Sequence, residues 1–475
     1  MATQRILIVR LPCHKVFPTG PLYLASTLDR GTPRPELKLL DLALVPRASQ
    51  RHALQAAAAE HAPDVIAFSW RDMQIFSPQD LDGAMRDAFL FFHHPSPVRK
   101  LESAFRGLWD ISVFKSAISW NLDLVRRAAA WFPRAQIALG GPSIRIFADR
   151  VSGRLPARVR VFDGAGLAPF FQHLGIQAPP DLIEPDMDLA MMERVFPQWR
   201  EYKAETVGVQ TKLGCPHRCL YCLYGYLEGR SVRRREPAAV VREVAAYVRR
   251  WGSRRFWFTD AQLLSNRGDH EHAAAILNGI MAERLDVEWS GYMRIHELEP
   301  ELAGLMVRSG LHDLEVSLNS GSQAVIDQLH LDFTVEAVMR GFETLRAAGY
   351  QGRVLVNLSL NAPGETRETL RETIRVVRRI KAMFGDERVI PVVFFLAIQP
   401  RTGLESRALA DRHLREGYNP LSVAPWDVLK LIYNPPPLGG MIGRACAVSF
   451  ARGGADVGER VLARLESQLG SQGLR

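Results

Sequence analysis

The stretch TKLGCPHRCLYC, residues 211–222, places Cys215, Cys219 and Cys222 within eight positions of a 475-residue chain that holds five cysteines. The two others, Cys13 and Cys446, lie far apart, and an odd count over so long a chain is not a disulfide framework. In a reducing compartment, thiols gathered in one loop hold metal. A structural zinc site wants four ligands, commonly as two separated pairs. His217 is the one added candidate nearby, but it sits between the first two cysteines, where a short loop does not readily wrap a tetrahedral ion. Iron–sulfur clusters are held by cysteine thiolates, normally four. Three would leave one iron open to an exogenous ligand. The spacing therefore favours an iron–sulfur cluster over zinc.

Outward from this loop, apolar strand-like runs alternate with amphipathic helical ones, the pattern of a parallel α/β protein. The loop follows a strand in VGVQTKLG. Further strands are expected in RRFWFTD (Arg254–Asp260), VEWSGYMR (Val287–Arg294), HDLEVSLN (His312–Asn319), RVLVNLSLN (Arg353–Asn361) and VIPVVFFLAIQP (Val389–Pro400). Six strand–helix units predict a partial (β/α)6 barrel over residues 205–400, with its chemistry at the carboxyl ends of the strands. Upstream, residues 1–178 read as a doubly wound, Rossmann-like domain. Its strands are expected in RILIVRLP (Arg5–Pro12), LKLLDLAL, DVIAFS (Asp64–Ser69), QIALGG and RVRVFDGAG (Arg158–Gly166). The glycines of GGPS and DGAG fall at strand ends, where backbone must come close to a ligand. An apolar insertion, about 71–120, includes DAFLFFHHPSPVRKLESAFRGLWDISVF and reads as a lid or packed subdomain. Residues 179–204 have the proline and acidic character of a linker, and 401–475 form a small C-terminal extension that is expected to close the barrel.

Composition excludes several classes. Hydrophobic residues make up 47% and charged residues 23%, as in an ordinary globular protein. No apolar run reaches the roughly 18 residues of a membrane span, and MATQRILIVRLP has no signal-peptide pattern, so a cytoplasmic protein is expected. The net charge of +9 comes from 60 basic against 51 acidic residues. The single dense basic run, RSVRRRE, lacks interleaved stacking groups, which argues against a nucleic-acid partner.

At the cysteine loop the chain resembles the radical S-adenosylmethionine (SAM) superfamily, through Cys215–x3–Cys219–x2–Cys222 with Tyr221 before the last cysteine. The resemblance implies a 4Fe–4S cluster on Cys215, Cys219 and Cys222, with S-adenosyl-L-methionine on its open iron. Reductive cleavage to a 5′-deoxyadenosyl radical would follow, driven by an external one-electron reductant of flavodoxin or ferredoxin type. By the same resemblance, Asp260 in FTDAQ is the candidate for the methionine amino group, and Arg294 for its carboxylate. Ser317, Asn319 and Ser320 of SLNSGSQ match the fourth strand's ending, although Asn319 stands where a glutamate is usual. Asn357 and LNAPGET belong to the fifth. Asp260, Ser320 and Thr366 also precede helices and could serve as caps.

The upstream domain resembles the cobalamin-binding domain found before a subset of these enzymes, through GPLYLAS, PDVIAFS, ALGGPS and VFDGAG. Cobalamin is then expected against Ser69, Gly140, Gly141, Ser143, Gly164 and Gly166. The stretch Asp163-Gly164-Ala165-Gly166 departs from the usual Gly-Glu-Gly-Glu. No Asp-x-His-x-x-Gly signature is present in this domain, so cobalt is expected base-off without a histidine ligand. The family then implies a methyltransferase that moves a methyl group from SAM through cobalamin to an unactivated carbon or phosphorus of a small molecule. The alternatives are a cyclase or ring rearrangement without methyl transfer, or a non-catalytic cofactor-binding protein. Methylthiolation would require three further cysteines, and two remain. No residue is singled out for contact with the substrate. In such an enzyme the strand ends of the two domains should face each other, with the insertion around Phe89–Trp109 as a lid.

Overall fold

The computed structural model describes residues 3–73, 84–164, 166–180, 188–422 and 424–470. Parts of the expected insertion (74–83), linker (181–187) and C-terminal extension (423 and 471–475) lie outside the described residues, as does Ala165.

Short runs of apolar residues bounded by turns form two parallel sheets. The first contains β1 (Arg5–Arg10), β2 (Glu36–Asp41), β3 (Val65–Ser69), β4 (Gln136–Gly140) and β5 (Val159–Val161). Their order is β2-β1-β3-β4-β5, and every pairing is parallel. This is the doubly wound arrangement whose order reverses between β1 and β3, and which opens a crevice beyond the carboxyl ends. The second sheet has six parallel strands in chain order: Val207–Val209, Arg255–Phe258, Glu288–Met293, Leu311–Asn319, Arg353–Leu360 and Val389–Phe395. It is the expected partial barrel. The run VGVQTKLG does not remain one strand, however. After Val209 it leaves the barrel, and Lys212–Leu213 pairs antiparallel with Arg233–Arg234. This small ribbon encloses the cysteine loop.

Side-chain alternation divides the core and joins the two sheets. Leu7, Val9, Ile66, Phe68 and Leu139 pack beneath the helices on the outer face of the first sheet. Their neighbours Ile6, Ile8, Val65 and Ala67 belong to the same continuous core as the barrel. A buried polar contact fixes this junction. The Tyr23 hydroxyl lies 3.0 Å from Glu243 Oε1 and accepts from the Gln210 N–H, also at 3.0 Å. Arg235 donates to Glu243 at 2.7 Å.

Two expectations change. The described residues 188–204 are not a free linker. They form the helix Leu189–Val195 and a turn Pro197–Tyr202, with Met191, Met192, Phe196 and Trp199 buried. Tyr202 donates to Asp41 at 2.6 Å, and Trp199 stacks on Trp251 at 4.6 Å. The insertion is a helical hairpin, Ala84–His93 and Pro97–Trp131, whose second arm continues into the crossover before β4. It packs sideways: Phe89 stacks on Phe395 of the last barrel strand at 4.5 Å and meets Phe450 of the C-terminal helix Gly439–Phe450. No helix among the described residues is long and apolar enough to cross a membrane.

Candidate functional site

The cysteine loop is shaped by backbone needs at Gly214. Its φ is +93°, and a Cβ there would sit 2.2 Å from the Ser231 carbonyl oxygen, so only glycine fits. The Gly214 N–H donates to Glu228 Oε2 at 3.1 Å, and the Cys215 N–H donates to the Gly229 carbonyl at 3.0 Å. Cys215 is buried, while Cys219 and Cys222 are half-buried. Cys215 raises the proton affinity of Cys219, and both raise that of Cys222, but burial is the larger cause. It pushes Cys219 up to about 11 and Cys222 up to about 12, and raises Cys215 as well. As free thiols they stay protonated at neutral pH, so an electropositive cluster must displace their protons to be bound. Among the described residues, no group of three or more His, Cys, Asp or Glu side chains converges on a single ion. Three thiols without a fourth protein ligand suit a cluster with an open iron.

His217, the added candidate ligand, is engaged elsewhere. Its Nδ1 lies 3.2 Å from Asp332 Oδ2, and Arg294 Nη1 approaches a ring nitrogen at 2.7 Å. Burial and Arg294 hold the imidazole below its ordinary pKa.

The barrel's strand ends converge beside this loop, but their residues divide sharply. Arg294, just past the third barrel strand, is 7% exposed, and its guanidinium carbon lies 5.0 Å from the Phe333 ring centroid. Its Nη2 is buried without a partner. A buried guanidinium with an unused donor matches a carboxylate such as that of methionine. Asn319 is fully buried at φ +63°, donates to the Ser317 carbonyl at 3.1 Å and leaves its own Oδ1 unpartnered. Tyr221 is half-buried. Ser317 is half-buried, and Asn357 donates to Glu315 at 2.9 Å.

Asp260 and Ser320 do not present themselves to a ligand. Asp260 is buried: its Oδ1 accepts from the Thr211 and Lys212 N–H groups at 2.8 and 3.0 Å, and its Oδ2 from the Thr211 hydroxyl at 2.6 Å. The carboxylate braces the stem of the cysteine loop, and a free oxygen for an ammonium is lacking. Ser320 is buried 3.0 Å from the Thr373 hydroxyl and accepts from the Ser322 N–H, which fixes the turn at Gly321 against the helix Arg367–Phe384.

A second feature opens between the carboxyl edge of the first sheet and the short segment after the cysteine loop, a cavity of about 500 Å³. Ser69, Gly140, Gly141, Gly164 and Gly166 all line it, as expected of the strand ends. Ser143 does not: its hydroxyl donates to the Arg71 carbonyl and fastens the turn after β3. Gly141 is obligatory, because at φ +111° a Cβ would lie 2.5 Å from the Trp70 carbonyl oxygen. Among the described residues, none of the hairpin lines this cavity, so the segment around Phe89–Trp109 is not its lid.

Sequence reasoning missed the opposite wall. Tyr224, Leu227 and Glu228, on and just after the one-turn helix Tyr224–Leu227, line the cavity from the barrel side. Burial raises the Glu228 carboxyl to about 7. The available signal was proximity, since these residues begin two positions after Cys222. Glycine-walled and largely apolar, with peptide edges at the rim, the cavity fits a large macrocycle better than a compact anion. No histidine lines it among the described residues.

Comparison with known proteins relates the cysteine-bearing segment to a family and the whole chain to a fold. Residues 209–377 match the family described as the Radical SAM superfamily. The structure is similar to that of the radical S-adenosylmethionine methyltransferase TsrM from Kitasatospora setae with cobalamin and a [4Fe-4S] cluster bound. The TM-score is 0.62 at 15% identity, covering 98% of this chain and 89% of that one. It is also similar to the apo form of the cobalamin-dependent S-adenosylmethionine radical enzyme OxsB. That TM-score is 0.61 at 11% identity, covering 98% and 71%. Among curated proteins, the tRNA-2-methylthio-N(6)-dimethylallyladenosine synthase of Mycobacterium bovis is 26% identical over 265 residues, 52% of this chain and 51% of that protein. The chain spans about half the length of the curated relatives it matches. The chain thus contains a radical SAM domain, set behind a doubly wound domain in the fold of the cobalamin-dependent radical SAM enzymes.

Proposed function

We propose that the protein is a cobalamin-dependent radical SAM methyltransferase acting on an unactivated carbon or phosphorus of a small molecule. One observation carries this reading: the glycine-lined ends of the first sheet and the segment following the cysteine loop line a single cavity. When bound, the cluster would supply an electron to S-adenosylmethionine, and cobalamin would supply a methyl group to the substrate. Cys215, Cys219 and Cys222 would hold the cluster. Arg294 would orient the methionine carboxylate through its unpartnered Nη2, and Asn319 would offer Oδ1 as an acceptor. Ser69, Gly140, Gly141, Gly164 and Gly166 would give the corrin a surface without side-chain obstruction, and Ser143 would shape it from behind. An external flavodoxin- or ferredoxin-type reductant would deliver the electron.

Action on tRNA, as the name of the relatives describes, is not adopted. Beyond the three clustered cysteines only Cys13 and Cys446 remain, and Cys446 is fully buried in a C-terminal helix. The test is anaerobic reconstitution with hydroxocobalamin, a chemical reductant and SAM carrying a deuterated methyl group, incubated with a small-molecule cell extract. The expected result is 5′-deoxyadenosine, a base-off cobalamin spectrum and a product carrying the labelled methyl. A product lacking the label would shift the reading to a rearrangement. Absence of cobalamin binding would remove the methyltransferase reading.

A further inference from the structure

The cavity and the cysteine loop share a wall. Glu228 lines the cavity, and the same carboxylate accepts the Gly214 N–H at 3.1 Å. The next residue, Gly229, accepts the N–H of Cys215, and the Ser231 carbonyl closes over Gly214. The backbone of the first cysteine is therefore held by the short segment that bounds the cavity. On the opposite wall, Gly20, Pro21 and the ends of β3, β4 and β5 belong to the first sheet and its first helix, and the docking of Tyr23 onto Glu243 and Gln210 fixes that wall against the barrel. A ligand filling the cavity thus presses on Glu228 from one side while the cysteine loop hangs on it from the other. Among the described residues, Arg145 is the one other charged residue lining the cavity. Its guanidinium lies 5.2 Å from the Tyr226 ring centroid, on the same short helix.

We infer that Glu228 couples the two cofactor sites, so that occupancy of the cavity tightens the cluster loop and an assembled cluster tightens the cavity. This rests on the cobalamin reading above. Its chemistry is plain: cobalamin is fringed with amides, and a buried carboxyl group is a hydrogen-bond partner for an amide. A shared wall that is ordered by either ligand makes the second cheaper to bind, and by linkage the two effects must be equal. Coupling between sites is typically fivefold or more.

The test uses the full chain, with hydroxocobalamin as the probe. Its affinity is measured by visible titration on cluster-free and on reconstituted protein. Iron release to a ferrous chelator is measured with and without hydroxocobalamin. In the wild-type protein the cluster should tighten hydroxocobalamin binding about fivefold or more, and hydroxocobalamin should slow iron release. Glu228→Ala should bring both ratios close to one while each cofactor still binds separately. If Glu228→Ala assembles no cluster, Glu228→Gln carries the test, because its amide oxygen can still accept the Gly214 N–H. It should restore the cluster and most of the coupling. Wild-type protein that binds hydroxocobalamin equally with and without the cluster overturns the inference and leaves the cobalamin reading standing. So does full coupling in Glu228→Ala. Wild-type protein that binds no hydroxocobalamin overturns the cobalamin reading itself.

Discussion

The first sheet ends in backbone, with Gly140, Gly141, Gly164 and Gly166 lining the cavity, whereas the barrel ends in side chains, with Arg294 against His217 of the cysteine loop and Asn319 buried at the end of the fourth strand. Both sheets are parallel. The difference follows the ligand each can hold. A broad macrocycle needs area without protrusions, which glycine provides, and a small charged group needs a few aimed donors and acceptors. The two regions therefore fail differently when altered: one through steric filling, the other through lost charge or coordination.

The largest effect is expected in the cysteine loop. Replacing Cys215, Cys219 or Cys222 by Ala should each abolish the visible and paramagnetic signals of the cluster. Cys446→Ala should leave them intact and cost only about 1 kcal/mol of stability for a small buried volume. A variant lacking Cys219 that keeps a full cluster would break the barrel side of the comparison.

Next is the sheet side. Gly141→Ala forces a Cβ to within 2.5 Å of the Trp70 carbonyl at φ +111°, whereas a Cβ at Gly164 meets nothing within 4 Å. Gly141→Ala should lower stability by about 2–3 kcal/mol and weaken hydroxocobalamin binding, as read by thermal melting and titration. Gly164→Ala should melt within a few degrees of wild type. Equal behaviour of the two would mean that shape is not what this edge supplies.

A smaller loss is expected from Arg294→Gln. Removing one charged partner of a buried contact costs about 1.5–3 kcal/mol, or roughly 10- to 150-fold in SAM affinity by equilibrium dialysis on cluster-loaded protein. An unchanged affinity would remove Arg294 from the binding site.

The gentlest test is pH. Glu365, in LNAPGET at the fifth barrel strand's end, is pushed by burial from its ordinary 4.5 to about 7, although the Thr369 hydroxyl donates to it at 2.7 Å. Its folded-state pKa lies above the unfolded one, so its contribution is complete below about pH 4.5 and is lost as pH rises through 7. Glu365→Gln is neutral throughout. Melting curves of wild type and variant should therefore diverge from pH 5 to pH 8 in the variant's favour, by on the order of 2 kcal/mol. Parallel curves would place Glu365 in a wetter site.

Much of this molecule is local in its causes. The spacing of Cys215, Cys219 and Cys222, the apolar runs of the strands and the glycines after β4 and β5 act over a few residues. Hydrophobic periodicity and covalent reach were therefore enough to read both sheets, the cysteine loop and the glycine edge. Which polar groups remained available was decided by partners distant in the chain. Asp260 is spent on Thr211 and Lys212 about fifty positions away, and Ser320 on Thr373, while Arg294 and Asn319 keep an unpartnered atom each. The same holds for the expected linker, drawn into the core by Trp199 and Tyr202, and for the hairpin, turned onto Phe395 instead of the cavity. Only the docking of one sheet on the other brought Glu228 to a wall across from Gly140, because hydrogen-bond satisfaction and cavity shape belong to the packed whole and no short stretch carries them.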